Sequence, residues 1–159
     1  MPEQATIKLA RAARRRGKSP STQAGEFVRE EIRHVRRGEH GARSTKQIIA
    51  IGLSMARRAG IDLPPPRKGQ TTEETRRRAI RDYQTGHYGA VKRPSRTRAR
   101  ATLRALRREG GQAASKEALS QHARAVARKK SAFERSIAAT KGAHRRKKHR
   151  RNPAALTPT

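Results

Sequence analysis

Apolar residues recur every three or four positions in several stretches of the chain, and the clearest stretch follows Ser19-Pro20. Ser19 is a favourable helix N-cap, and proline is tolerated in the first turn of a helix. The apolar positions that follow share one stripe at helical spacing, namely Ala24, Phe27, Val28, Ile32 and Val35. The pattern predicts an amphipathic helix that ends near Arg37, before Gly38.

A second helix is predicted after a short link. Ser44 and Gln47 have the spacing of a capping box, and Gly60 suits the left-handed position that follows a helix end. Between them, apolar residues cover more than half of the helix circumference: Ile48, Ile49, Ile51, Leu53, Met55 and Ala56. Residues 19–63 are therefore expected to fold as a helical hairpin, with the second helix at the centre of a thin core.

Prolines at positions 64–66 interrupt the helical pattern. Each proline disfavours helical backbone at the residue before it, so a stiff Pro-rich linker is predicted over residues 64–70. Beyond the linker, the segment from Thr71 to Glu74 has the pattern of a second capping box and predicts a helix that ends near Gln84. We interpret residues 71–140 as a basic helical region.

Residues 95–140 allow a second hairpin. One helix is predicted from Ser95 to Glu109 and another from Ser115, with glycines between them. When the chain is shifted by 71 residues, apolar positions of this pair fall on those of the first hairpin, which allows an internal duplication. If the second helix continues past Ser131, one face holds Leu119, Ala123, Val126, Phe133 and Ile137.

Both ends of the chain are basic. Residues 1–18 are rich in Arg and poor in acidic residues, which predicts a basic arm along a phosphate backbone, with an organelle transit peptide as the alternative. Residues 141–159 have the composition of a disordered basic tail. The expected fold class is therefore all-α, with short amphipathic helical hairpins joined by a Pro-rich linker and with disordered basic termini.

The net charge indicates which kind of partner the protein binds. The 159 residues hold 41 Lys and Arg against 12 Asp and Glu, a formal net charge of +29 at pH 7. Residues 64–159 carry most of this charge, with 27 basic and 6 acidic side chains. Such a charge favours a polyanionic partner, and the arginine guanidinium matches phosphate because it donates hydrogen bonds in a planar fork. Nucleic acid is the expected partner, with DNA favoured over RNA.

The sequence does not indicate the chemistry of other function classes. It has no cysteine, no glycine-rich phosphate loop after a strand and no acidic pair in an apolar setting. No apolar run approaches the roughly 18 residues that span a bilayer. Six histidines show no close ligand spacing with carboxylates on one helix: His34, His40, His87, His122, His144 and His149. We therefore expect no enzyme activity, no cofactor, no metal site and no membrane partner.

Basic residues in the second half of the chain are the candidate contacts with nucleic acid. Aromatic residues for stacking on single-stranded bases are few, which favours sequence-tolerant contact with duplex phosphates. The predicted contact residues are Arg100, Arg104, Arg107, Arg108, Arg124, Arg128, Lys129, Lys130, Arg145, Arg146, Lys147, Lys148, Arg150 and Arg151. An alternative interpretation makes residues 44–59 a recognition helix, or a helix whose N-terminus holds a phosphate.

Five short segments carry a resemblance to a known family. They are KSPSTQAGEFVREE (18–31), HGARSTKQ (40–47), IGLS (51–54), LRALRREG (103–110) and ALS (118–120). In these segments the chain resembles an uncharacterised family of short, highly basic bacterial proteins, a domain of unknown function whose members are sometimes labelled DNA-binding. The resemblance covers most of the chain except the tail. It implies a bacterial cytoplasmic setting and supplies no site residues.

Three functions are compatible with these patterns. The first is a nucleoid-associated protein that binds duplex DNA with little base specificity. The second is a ribosome-associated or structured-RNA-binding protein, since basic helices and tails also fold on RNA. The third is a plasmid-maintenance or antitoxin-like DNA-binding module that forms a homodimer through residues 20–60. This third function follows from the helix at 48–59, which has more apolar surface than one partner helix covers.

Overall fold

The computed structural model describes residues 2–89 and 95–151, without the side chains of residues 138, 141 and 145–151. The described residues are all-helical and contain no strand, which confirms the all-α prediction for this part of the chain. The helices are α1 (Gln4–Arg15), α2 (Pro20–Arg36), α3 (Thr45–Arg58), α4 (Glu73–Tyr88), α5 (Arg96–Arg107), α6 (Lys116–Arg128) and α7 (Ala132–Arg151). A short 3₁₀ turn, Gln112–Ala114, lies between α5 and α6.

The chain divides into two compact units, Met1–Leu119 and Ser120–Thr159. The division lies inside α6. The second hairpin that the sequence allowed over residues 95–140 and the duplication that it suggested stay predictions.

The core of the first unit lies between α2 and α3, with α1 packed on α2 and α4 packed on α3. One buried cluster contains Ala10, Ala24, Phe27, Ala56 and Ile61. A second contains Val35, Ala42, Ile48 and Ala114. These are the apolar stripes that the sequence predicted for α2 and α3, joined by residues from α1 and from the 3₁₀ turn.

Helix α3 is the central helix, as predicted. Helices α2 and α4 and the 3₁₀ turn all pack on it, and Ile48 and Ala56 are fully buried. The apolar surface of α3, from which a homodimer was predicted, is thus largely covered by other segments of the same chain. The same packing leaves α3 little free surface to enter a DNA groove. Neither the homodimer through residues 20–60 nor the recognition-helix interpretation gains support.

Helices α2 and α3 approach closely at Gly52. A Cβ atom added to Gly52 would lie 2.7 Å from the Cα of Val28, closer than side-chain carbons pack. Glycine is therefore required by the helix crossing rather than by the backbone conformation of α3.

The predicted ends of α3 are confirmed. Ser44 Oγ accepts a hydrogen bond from the Gln47 backbone N–H at 3.3 Å, although the Gln47 side chain bonds to the N–H of Arg43 rather than that of Ser44. Gly60 has φ +78°, and the N–H of Ile61 donates to the Ala56 carbonyl at 3.1 Å. This is the left-handed helix ending that the glycine predicted.

The segment between α3 and α4 is held against α3. The buried Arg57 side chain donates to the carbonyl oxygens of Leu63 and Pro64, at 3.2 and 3.4 Å. Residues 64–70 contain no helix, as the prolines predicted, yet they return the chain so that α4 packs on α3. Thr72 caps α4 instead of Thr71, because its Oγ1 accepts from the N–H of Thr75 at 3.3 Å.

Within the basic arm predicted at residues 1–18, Gln4–Arg15 form α1 instead of a disordered segment. Thr6 and Ala10 are buried, and α1 packs on α2. The backbone N–H of Glu3 donates to Glu30 Oε1 at 2.6 Å, which fixes the first turn. The disordered arm was predicted from the high content of charged residues. That composition does not show that the small residues on one face of α1 are sufficient for packing on α2.

The predicted tail is helical as far as Arg151, and residues 152–159 lie outside the described residues. Ser131 and Glu134 form a reciprocal capping box, with bonds of 3.1 and 2.9 Å, that starts α7.

Helix α6 ends at Arg128, so one helix does not continue past Ser131. The expected apolar face is largely exposed, and Phe133 is 74% exposed.

Candidate nucleic-acid interface

Helix α5 carries a row of exposed arginines. Arg100, Arg104 and Arg107 lie on one face at helical spacing, and Arg96 extends the same face by one turn. We call Arg96, Arg100, Arg104 and Arg107 the α5 row, which spans about 16 Å along the helix. All four side chains are exposed, as is Arg108 at the C-cap. Arg96 was not among the predicted contacts, although the four-residue spacing to Arg100 is visible in the sequence.

The α5 row is a continuous face of arginines without acidic partners. In α2 and α4, by contrast, part of the exposed arginines are paired, such as Arg29 with Glu26 at 2.7 Å and Arg77 with Glu73 at 3.7 Å. Among the residues that the structure describes, no member of the α5 row forms an ion pair. These guanidinium groups therefore keep their full charge and donors for a phosphate ligand.

The C-terminal end of α5 is attached to the turn between α2 and α3. The N–H of Gly41 donates to the Leu106 carbonyl at 2.9 Å, and the N–H of Ala42 donates to the Gly110 carbonyl at 3.1 Å. A Cβ atom on Gly41 would overlap the carbonyl oxygen of Glu109. We call residues 106–114 the anchor segment.

Side chains of α2 and α3 complete this attachment. Arg36 Nε donates to the Ala114 carbonyl at 2.9 Å, and Thr45 Oγ1 donates to the Ala113 carbonyl at 2.8 Å. The Ala114 side chain is fully buried in a cluster with Val35 and Ile48. No residue of α5 itself is buried, so the anchor segment, rather than a buried helix face, positions the α5 row.

Four further predicted contacts lie in or directly after α6. Arg124, Arg128, Lys129 and Lys130 are all exposed, and Arg124 and Arg128 are one turn apart. The remaining predicted contacts belong to the last turns of α7, and their side chains lie outside the described residues: Arg145, Arg146, Lys147, Lys148, Arg150 and Arg151. Each compact unit thus contains its own set of predicted contact residues.

The expectation that no histidine shares a helix with a suitably spaced carboxylate is wrong. Glu31 and His34 are three residues apart on α2, and His40 Nε2 lies 3.1 Å from Glu31 Oε1. Burial raises the pKa of the Glu31 carboxyl, against the opposing effect of His40 and His34. The hydrogen bond from His34 holds the pKa of the Glu3 carboxyl below its ordinary value. The Glu31–His34 spacing is visible in the sequence, but the approach of His40 is not.

No protein-family model, curated protein or solved structure matches the chain. The resemblance to a family of basic bacterial proteins therefore stays a prediction. Among the residues that the structure describes, none of the helices has the length and apolar character needed to cross a membrane.

Proposed function

We propose that this protein is a non-enzymatic DNA-binding protein that holds the duplex through arginine–phosphate contacts, with little base specificity. The observation that carries the proposal is the α5 row, whose four exposed arginines lie on one face and have no acidic partner among the described residues. Each guanidinium that reaches a phosphate releases condensed counterions, so affinity comes chiefly from charge rather than from base edges.

The distribution of aromatic residues favours duplex over single-stranded nucleic acid. Proteins that bind single strands use several aromatic rings as stacking platforms. Phe27 is buried in the core, and Tyr83 stacks on His87 with ring centroids 3.9 Å apart. The exposed aromatic rings among the described residues are Tyr88 and Phe133, which belong to different compact units.

On this proposal the protein acts on the bacterial chromosome as a nucleoid-associated protein. Crosslinking in the native cell, followed by separate sequencing of the recovered DNA and RNA, tests this role. We expect broad chromosomal coverage and little RNA. Discrete ribosomal RNA peaks would replace the proposal with a ribosome-binding function.

A binding titration on the purified full chain tests the contacts. Fluorescence anisotropy with several unrelated duplexes measures the affinity and its dependence on salt. Replacing Arg100 or Arg104 by Ala should weaken binding similarly on every duplex and make the slope of log affinity against log salt shallower by about one unit per contact. A change in sequence preference would contradict the proposal.

Arg29→Ala is the matched control, because it removes another exposed arginine, whose guanidinium is already paired with Glu26. It should leave the affinity and the salt slope close to those of the unmodified protein. If Arg29→Ala and Arg100→Ala weaken binding equally, then general charge and not the α5 row accounts for the interaction.

A further inference from the structure

A cluster of carboxylates and imidazoles joins α1, α2 and the turn after α2. Glu31 Oε1 lies 3.1 Å from His40 Nε2, and Glu31 Oε2 lies 3.9 Å from His34 Nδ1. One ligand-type atom from each of these three residues lies within 4.8 Å of the other two. Glu3, Glu30 and His34 form a second group, with one ligand-type atom of each within 4.8 Å of the other two.

We propose that Glu31, His34 and His40 form a binding site for one divalent transition-metal ion. Two ligand atoms that lie 2.0–2.1 Å from a tetrahedral ion are about 3.3 Å apart. Glu31 presents one oxygen to each ring, Oε1 at 3.1 Å from His40 Nε2 and Oε2 at 3.9 Å from His34 Nδ1. The first separation is close to this value, and the second must shorten when one ion binds all three residues.

The hydrogen bonds of the two histidines involve the ring nitrogens that do not face Glu31, so the nitrogens that face it are free to bind a metal ion. His34 Nε2 lies 3.1 Å from Glu3 Oε1, and His40 Nδ1 lies 3.0 Å from the Gly41 carbonyl oxygen. Both neighbours accept hydrogen bonds, so in neutral imidazoles these nitrogens carry the proton and donate it. The unprotonated His34 Nδ1 and His40 Nε2 then face the Glu31 carboxylate. Metal-bound histidines are held in this way, with the second ring nitrogen donating to a carboxylate or a carbonyl.

A carboxylate and two ring lone pairs repel one another unless a cation lies between them. Glu31 Oε1 is buried and accepts no hydrogen bond within the described structure, although His40 Nε2 is 3.1 Å away. The oxygen therefore lies to the side of the axis along which the Nε2 lone pair points. An oxygen and a nitrogen that bind the same metal ion have this sideways relation, since the ion and not the oxygen lies on the axis.

Two adjacent buried carboxylates also favour a cation at this position. Glu30 is 0% and Glu31 3% exposed, and Glu30 Oε2 has no hydrogen-bond partner among the described residues. Burial of an ionised carboxylate is costly unless it is paired or coordinates a metal. A divalent ion bound by Glu31, His34 and His40 offsets this cost for Glu31.

The donor set identifies the class of metal. Two imidazole nitrogens and one carboxylate oxygen suit zinc and its neighbours in the first transition row, whereas calcium and magnesium take oxygen ligands. His40 precedes Gly41, whose N–H donates to Leu106 of the anchor segment, so the ion would tie α2 to the turn that positions α5. The inference does not depend on the proposed binding of DNA.

Cobalt(II) is the probe for this site, because its visible absorption reports its ligands. The full chain is treated with a chelator, dialysed and titrated with Co²⁺, and then with Zn²⁺ as competitor. We expect saturation at one ion per chain, displacement by Zn²⁺ and a Zn²⁺-dependent rise in the thermal midpoint. Absence of saturable binding to the unmodified protein would overturn the proposal.

Variants locate the ion. His40→Gln should lower the Co²⁺ affinity at least tenfold, because it removes a direct ligand from the turn. His122→Gln, in α6, removes a histidine outside the cluster and should leave the affinity unchanged. Equal affinities of the two variants would overturn the assignment. Should His40→Gln fail to fold by circular dichroism, Glu31→Gln keeps the side-chain volume and must show the same loss.

Discussion

The backbone N–H of Gly41 donates a hydrogen bond to the carbonyl oxygen of Leu106, at 2.9 Å. This bond joins the turn after α2 to the last turn of the arginine-bearing helix α5. Since α5 buries no residue of its own, the bond and its neighbours in the anchor segment fix where the α5 row lies. The position of the proposed DNA contacts thus depends on a glycine with no charge and no side chain.

Gly41→Ala should therefore affect both stability and DNA binding. The added methyl group would overlap the Glu109 carbonyl oxygen, and backbone cannot move aside as a side chain can. We expect a loss of about 2 kcal/mol in the free energy of unfolding, typical of overpacking, and a several-fold loss of affinity for duplex DNA. Urea denaturation and fluorescence anisotropy measure the two effects.

Gly25→Ala is the control for this substitution. Gly25 lies within α2, and a Cβ atom there meets no other atom within 4 Å. Alanine is the better helix former, so this variant should be as stable as the unmodified protein or more stable by up to about 1 kcal/mol. Equal losses in Gly41→Ala and Gly25→Ala would contradict the role of the anchor segment.

Gly52→Ala should destabilise the packing of α2 on α3. The new Cβ would lie 2.7 Å from the Val28 Cα, so the two helices must separate. We expect a loss of about 2 kcal/mol, within the range for overpacked cores, with DNA affinity unchanged at temperatures where the protein is folded. Thermal unfolding followed by circular dichroism measures the change, and a midpoint at or above that of Gly25→Ala would refute the prediction.

Asp82→Ala should weaken the contact between α3 and α4. Asp82 is nearly buried and accepts hydrogen bonds from Ser54 Oγ and from Arg58 Nε, both at 2.7 Å. Loss of both bonds should lower the free energy of unfolding by about 2 kcal/mol. Arg58→Ala removes the exposed partner alone and should cost less than about 1 kcal/mol. The reverse order in urea denaturation would show that Asp82 is not the central residue of this contact.

Replacing Arg100, Arg104 and Arg107 together by Lys separates charge from hydrogen-bond geometry. Lysine keeps the charge but loses the planar fork that binds phosphate with two parallel bonds. The triple variant should therefore bind duplex DNA several-fold more weakly at every salt concentration, with the same salt slope. Anisotropy titrations at four or more salt concentrations measure both quantities, and an unchanged affinity would mean that the α5 row acts as charge alone.

The sequence by itself determined the features that depend on neighbours along the chain. The Ser44 cap, the Gly60 ending and the apolar stripes of α2 and α3 are local patterns, and the structure confirms each of them. Arg100 and Arg104 were predicted as contacts, and the structure leaves both exposed, because a helix with few apolar residues keeps its charged face in water.

Only the tertiary structure decided the features that join distant segments. Nothing near Gly41 in the sequence indicates that Glu109 packs against it, and nothing near His40 indicates Glu31 as a neighbour. Residues 1–18 were predicted from composition to be disordered, yet α1 packs on α2 through Thr6 and Ala10, and Glu30 accepts the N–H of Glu3 at its start. Local patterns fix which segments become helices, since those energies lie within a few residues, whereas the packing of one segment on another depends on shape and on hydrogen bonds that no local pattern records.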